Sequence, residues 1–178
     1  VFVEKMGGPR LDGGQVDAIF AKGGEIAAMQ RESGGGLRLL YDVSTSDQLW
    51  AKVNNATPRI LTVSGSLVRE RPDLVVRYAR ILLGAARWAA DPVHREEATQ
   101  ALARETGVTA QDIRTYYTPD LYDKLQPELS ARLLGTVEVM KTFLVRHGFI
   151  EQDFDLHEWA VPDLLRQAYE AEELPWRA

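Results

Sequence analysis

The sequence predicts an α/β fold in which a short strand–helix–strand unit is followed by a longer helical region. Apolar runs of strand type at residues 16–21 and 37–43 flank a helical segment at 25–32. Together they have the size of a parallel βαβ unit, about 30 residues. A third strand is predicted at 59–63, after which apolar residues recur only at helical spacing. With 178 residues, 45% of them hydrophobic, the chain can form one ordinary domain, or one domain and part of another.

Residues with strong preferences at helix ends mark the predicted helices. Pro72 suits a first helical turn, because its φ is fixed and it lacks an N–H group. Thr109 followed by Asp112 is a capping signature, and Gly107 and Gly148 suit the left-handed residue that closes a helix. The glycines at 34–36 close the first helix in the same way. The predicted helices are 25–32, 72–90, 94–106, one that opens at 109, 130–147 and a last one after Pro162.

Helical spacing in the long helix, 72–90, predicts that one of its faces is buried. The residues that we expect on this face are Leu74, Val75, Tyr78, Ile81, Leu82, Ala85, Trp88 and Ala89.

Composition excludes several classes of protein. The 26 acidic and 21 basic residues give a net charge of -5, and the basic ones are scattered, which argues against a nucleic-acid partner. No run approaches the roughly 20 apolar residues that span a bilayer. The chain has no cysteine, and therefore no disulfide, thiolate metal site or cysteine nucleophile. Because His94, His147 and His157 form no metal-binding pattern, we expect no metal and no cofactor.

The first residues of the sequence do not match a signal peptide. Its first residue is Val1, and residues 1–6 have neither the basic nor the apolar region of a signal peptide. We therefore expect the sequence to be internal to a longer protein.

The most informative local feature is the junction Lys22-Gly23-Gly24-Glu25 between the first strand and the first helix. A helix that begins at a Gly-Gly pair leaves backbone N–H groups free beside a cation, and such an end suits a carboxylate, sulfonate or phosphate. The alternative is an ordinary turn with a solvated Lys22. The pattern by itself leaves both interpretations open.

Two more residues are candidates for the same ligand. Thr62 offers a hydroxyl, and Arg59 is placed to act as a clamp on an anion. A solvated surface role for Arg59 is the alternative. Ser64 or Ser66 is expected to cap the helix that follows rather than to bind a ligand.

Three segments resemble a known family. Residues 11–18 (LDGGQVDA), 61–75 (LTVSGSLVRERPDLV) and 154–162 (FDLHEWAVP) are similar to solute-binding proteins of the sulfonate, nitrate and taurine transporters. The resemblance implies a type 2 periplasmic-binding fold, of which this chain is the later half. Residues 1–55 would belong to the second lobe, and residues 56–178 would be the return strand and the mainly helical part of the first lobe. The aromatic and proline residues that often follow the VDA strand in the family are absent at 21–25.

The resemblance implies that a small organic anion binds between two lobes and that the lobes close over it. The expected partners are that anion, the missing N-terminal portion or a self-associated copy, and an ABC permease, in a periplasmic or other extracytoplasmic location. Within the superfamily the chain is most similar to a desulfinase branch. The alternative is thus a cytoplasmic hydrolase on the same scaffold, with its nucleophile in a preceding segment. In the family the closing segment folds back, so we expect Trp159 to be buried against the long helix.

Overall fold

The computed structural model describes residues 14–21, 24–48, 60–117 and 119–176, and these are predominantly helical. Three 3-10 helices, Val43–Thr45, Pro92–His94 and Pro119–Lys124, lie between the α-helices. In chain order the α-helices of these residues are α1 (Gly24–Glu32), α2 (Gly65–Glu70), α3 (Pro72–Ala90), α4 (Arg95–Thr106), α5 (Ala110–Tyr116), α6 (Ala131–Arg146), α7 (Leu156–Trp159) and α8 (Pro162–Ala171).

The segments predicted as strands are irregular wherever the structure describes them. Residues 16–21, 37–42 and 60–63 have no strand assignment, and Val43 begins a 3-10 helix. A strand exists only when its N–H and C=O groups pair with a neighbouring strand. No such neighbour is present among the described residues, so an apolar run alone is insufficient here. The α/β periplasmic-binding fold therefore stays a prediction.

The helix boundaries agree closely with those predicted. Pro72 opens α3, and Thr109 and Asp112 form a complete capping box at α5. Gly107 has a φ of +73°, a left-handed conformation that a side chain would disfavour, and its N–H donates to the carbonyl of Ala103. Ser64 is confirmed as the cap of α2, because its hydroxyl accepts a 3.2 Å hydrogen bond from the Leu67 N–H.

The chain forms two compact units, Val1–Leu40 with Arg87–Leu125 and Tyr41–Ala86 with Gln126–Ala178. The predicted boundary between residues 55 and 56 lies outside the described residues and stays a prediction. In the described part of the chain, no helix is both long and apolar enough to cross a membrane.

In the first unit, α1 and α4 pack against α5, whose Ile113 is fully buried. A second apolar cluster joins Ala89, Ala98 and Tyr122. The hydroxyl of Tyr122 is 2.6 Å from that of buried Thr99, so the phenol has a polar partner inside the unit. Its ring also lies beneath the guanidinium of Arg95 at 4.7 Å.

The second unit has its core where α8 docks on α3. Leu83 and Tyr169 are both 0% exposed, and Ala79 and Ala168 complete the cluster. The Tyr169 hydroxyl donates a 2.7 Å hydrogen bond to the Pro127 carbonyl, so this large side chain is buried without an unpaired polar group. Residues packed around the cluster are Val76, Leu165, Leu174 and Trp176.

The predicted buried face of α3 is largely wrong. The side chains that are buried on α3 are Val75, Ala79, Leu83, Ala86 and Ala89. Of the predicted residues, Leu74, Tyr78, Ile81, Ala85 and Trp88 are exposed. The helix carries two adjacent apolar faces, and the face with the smaller residues is the one that is covered.

The predicted burial of Trp159 is also wrong. Its side chain is 46% exposed and contacts the ring of Phe154 at a centroid distance of 5.8 Å. The end of the chain docks on α3 through α8 instead, because Leu83 and Tyr169 share one core and Trp176 packs on Tyr169 at 5.3 Å.

The difference in burial between Leu83 and Trp159 predicts how much stability is lost when each side chain is truncated. Leu83→Ala is expected to lower the free energy of unfolding by about 2–5 kcal/mol, since it leaves a cavity in a fully buried site. Trp159→Ala is expected to cost about 1 kcal/mol, as for a partly solvated side chain. Urea unfolding followed by far-ultraviolet circular dichroism measures both. An equal or larger loss for Trp159→Ala would contradict the position of the core.

Candidate functional site

The structure describes part of the predicted anion site. Gly24 and Glu25 form the first turn of α1, so the helix begins where the sequence predicted. Lys22, Gly23 and Arg59 lie outside the described residues. Thr62 is exposed in an irregular segment of the second unit.

The beginning of α1 has the features that an anion site needs and one that opposes it. Its first N–H groups have no acceptor within the helix, because an α-helix leaves its first four donors unpaired. Glu25 in the same turn is exposed, and its negative charge partly neutralises the positive end of the helix dipole. An incoming anion therefore needs the added charge of Lys22 to compete with that carboxylate.

The other end of α1 is fixed by an ion pair with α5. Arg31 donates through Nη1 to Oδ1 of Asp112, whose side chain is only 5% exposed. The second carboxylate oxygen of Asp112 accepts from the N–H of Thr109 at 3.1 Å and from its hydroxyl at 2.7 Å. One buried carboxylate thus caps α5 and also holds α1 in the first unit.

This pairing stabilises the charged forms of both groups. The hydrogen bond from Arg31, assisted by those from Thr109, lowers the pKa of Asp112 below its ordinary value. The same hydrogen bond raises the pKa of Arg31. Arg31 contacts Glu32 as well, with Nη2 at 3.4 Å from Oε1. Arg31 is therefore committed to protein carboxylates rather than to a ligand.

A shallow cavity of about 440 Å³ lies in the second unit around Lys141. The Lys141 ammonium contacts Oδ1 of Asp153 and Oε1 of Glu138, each at 2.9 Å, and the Phe154 carbonyl at 2.8 Å. The hydrogen bond with Asp153 is the main cause of the raised pKa of Lys141 and of the lowered pKa of Asp153. The residues that line the cavity are Glu138, Lys141, Asp153, Phe154, Asp155, Leu156 and His157.

Charge decides what this cavity can bind. Glu138 and Asp153 pair with the single ammonium, whose third hydrogen bond goes to the Phe154 carbonyl, and Asp155 adds a third carboxylate to the lining. Because the carboxylates outnumber the ammonium, the cavity is negative overall and repels an organic anion. Among the described residues, no group of three or more His, Asp or Glu side chains is placed so that it could hold a metal ion. We therefore assign the Lys141 cluster a structural role, namely joining α6 to the segment before α7.

The sequence did not reveal either ion-pair cluster, because in each the partners come from different elements of the chain. Asp112 was identified as part of a cap, but its partner Arg31 is 81 residues away. Lys141 occupies a helix position that looks solvent-facing, and its partner Asp153 lies beyond the helix end. The available signal was the apolar character of the residues one helical turn from Lys141, namely Val137, Leu144 and Val145.

The chain is similar to 2'-hydroxybiphenyl-2-sulfinate desulfinases from Rhodococcus erythropolis and Rhodococcus qingshengii. The identity to each is 29% over 161 residues, which is 89% of this chain and 40% of the relative. The chain thus spans two fifths of the length of the curated relatives that it matches. No family model and no solved structure matches it. The similarity to the desulfinase branch is confirmed, and the wider solute-binding superfamily remains a proposal.

The Arg31–Asp112 pair predicts a pH dependence of stability. Because the pKa of Asp112 is lower in the folded state than in the unfolded state, the pair stabilises fully above the unfolded pKa of about 3.9. This contribution is lost as the pH falls through the folded pKa. Asp112→Asn is therefore expected to be less stable near neutral pH and to lose less stability on acidification.

Chemical unfolding of the parent and of Asp112→Asn, from about pH 7 down to about pH 2, measures this difference across the acid limb. Asp47→Asn is the matched control, since Asp47 is an exposed carboxylate. If the stability curves of parent and Asp112→Asn stay parallel throughout, the carboxylate does not hold α1.

Proposed function

We propose that this chain is part of a protein that binds a small organic sulfur oxyanion between two lobes of a periplasmic-binding scaffold. The observation that carries the proposal is the 29% identity over 161 residues to proteins named for a biphenyl sulfinate. The three sequence segments that resemble sulfonate-binding proteins support the same ligand class. The role that we propose first is solute binding for an ABC importer, in an extracytoplasmic location and with its permease as partner.

The start of α1 is the part of the chain that we propose to contact the ligand. Sulfinate and sulfonate oxygens accept hydrogen bonds well, and the N–H groups of the first turn of α1, at Gly24 and Glu25, are donors of the right kind. Lys22 would add the charge that Glu25 partly cancels. The Arg31–Asp112 pair supports the site from the far end of the helix, because it fixes α1 without competing for the ligand. The roles of Thr62 and Arg59 as ligand contacts stay predictions.

The second candidate is a desulfinase-like hydrolase, and the names of the relatives favour it specifically. The chain contains no cysteine, so a thiol nucleophile would have to come from outside this sequence. Under this alternative the same helix end would orient the sulfinate group while another part of the protein performs the reaction. The two candidates therefore share a ligand and differ in whether a C–S bond is broken.

Calorimetric titration of the protein that carries this sequence tests the shared ligand. We expect 2'-hydroxybiphenyl-2-sulfinate or an alkyl sulfonate to bind more tightly than the matching carboxylate, and Lys22→Ala to weaken the best ligand about tenfold, a loss of about 1.4 kcal/mol. Arg38→Ala is the control, since Arg38 is an exposed cation of the same unit. If both variants weaken binding equally, or if Lys22→Ala does not weaken it, the junction at residues 22–25 does not contact the ligand.

Release of sulfite separates the two candidates. Binding of the sulfinate without release supports solute binding, and stoichiometric or catalytic release supports the hydrolase. If no sulfur oxyanion binds and none is turned over, both candidates are wrong.

A further inference from the structure

The helix α1 is too short to be stable by itself. It has nine residues, Gly24–Glu32, whereas isolated helices shorter than about 12–15 residues are only marginally stable in water. Its stability must therefore come from contacts with the rest of the first unit. Its main contacts are with α5, the helix against which it packs.

Apolar burial holds α1 only weakly. Among residues 25–32, whose burial the structure describes, Ala27 is the one that is buried, at 8% exposed. The other apolar residues of α1 are half-buried. By contrast, α4 buries three residues, namely Ala98, Thr99 and Ala103. Because Ala27 removes only a single methyl group from water, polar contacts carry a larger share of the attachment of α1.

The pair of Arg31 with Asp112 joins the end of α1 to the beginning of α5. Asp112 also accepts two hydrogen bonds from Thr109, at 3.1 and 2.7 Å, that do not involve α1. Arg31 is 50% exposed and has the carboxylate of Glu32 at 3.4 Å on its own helix. Both partners therefore keep polar contacts when the pair breaks, so its opening costs less than leaving a buried charge without a partner.

A pair of glycines suited to a hinge follows α1. Gly34 and Gly35 have φ values of +60° and +85°, which residues with a side chain rarely adopt. Beyond their chain neighbours, no described atom lies within 4 Å of the position that a Cβ would take at either glycine. Their N–H groups donate 3.2 Å hydrogen bonds to carbonyls of α1 itself, those of Arg31 and Gln30. The backbone can therefore rotate at this point without disturbing another element.

The contacts between α4 and α5 are made without α1. Nη1 of Arg114 on α5 lies 2.9 Å from Oε2 of Glu96 on α4, and the two helices pack directly on each other. The capping box of α5, formed by Thr109 and Asp112, lies within the first turn of that helix. Departure of α1 consequently leaves α5 with its cap and with its neighbour.

We propose that α1 opens from α5 as a unit, with the Arg31–Asp112 pair as its latch and with Gly34 and Gly35 as its hinge, while α4 and α5 stay folded together. Proteins open locally in such cooperative units, at free energies below that of global unfolding. Breaking one ion pair releases the whole helix, because a nine-residue helix that has lost its tertiary contacts does not persist in water.

The latch has a consequence for ligand binding that rests on the proposed function. The N–H donors at residues 24 and 25 are held in place only while α1 is helical, so molecules with α1 open would not bind an anion there. The apparent dissociation constant then rises as the closed fraction falls. The latch itself needs no ligand, so exchange measured without one tests it whether or not a sulfur oxyanion binds.

Amide hydrogen exchange, followed by mass spectrometry on the protein that carries this sequence, tests the latch. It compares the amides bonded within helices, at residues 28–32 of α1 and 99–106 of α4, each relative to an unfolded peptide. In the parent, we expect the α1 amides to be protected at least about tenfold less than those of α4. Arg31→Ala is expected to lower the protection of α1 at least about tenfold further, through the loss of a charge-assisted hydrogen bond, and to leave that of α4 unchanged.

Two further variants complete the experiment. Asp112→Asn removes the charge from the other side of the pair and is expected to lower the protection of α1 as well. Arg38→Ala is the matched control, since Arg38 is an exposed cation of the first unit outside α1. The proposal is overturned if α1 in the parent is unprotected or as protected as α4, if either latch variant leaves α1 unchanged, or if Arg31→Ala lowers the protection of both helices alike.

Discussion

The second unit depends on one packing arrangement, the burial of Leu83 and Tyr169 in a single cluster between α3 and α8. Both side chains are fully removed from solvent, and the Tyr169 hydroxyl has the Pro127 carbonyl as its acceptor. Burial of a large aromatic side chain is stabilising only if its polar end is paired, so the position of Pro127 is part of the same constraint. The loop before α6 is thereby tied to the last helix of the chain, and the Arg80–Glu172 ion pair adds a polar contact at its rim.

The pairing of buried charges limits which side chains can bind a ligand. The side chains of Asp112 and Lys141 are 5% and 9% exposed, and each is surrounded by opposite charge. A buried charge is tolerated only when it is paired and hydrogen-bonded. Such pairing consumes the cations that would otherwise attract an anion, since Arg31 and Lys141 both serve protein carboxylates. Under the proposed function, an organic anion would therefore have to be bound by backbone N–H groups and by cations outside these clusters, as proposed for the start of α1.

The sequence was informative where structure is decided locally. The Pro72 start, the Thr109–Asp112 capping box and the Gly107 stop each depend on residues within one helical turn, and all three are found. Strands depend on partners elsewhere in the chain, and the described residues of the runs at 16–21 and 60–63 form no strand. The start of α1 at Gly24 was predictable for the local reason, whereas the Arg31–Asp112 pair that holds it joins residues 81 positions apart.

The two apolar faces of α3 show why hydrophobic spacing alone did not identify the buried one. Leu74, Tyr78 and Ile81 offer more apolar area than Ala79 and Ala86, and area by itself favours their burial. The structure instead covers the face with the alanines, where Leu83 meets Tyr169. Burying Tyr169 against small neighbours removes one large ring from water and leaves few voids, which larger residues at 79 would prevent. The face with the large side chains is consequently the one that the described part of the second unit leaves exposed.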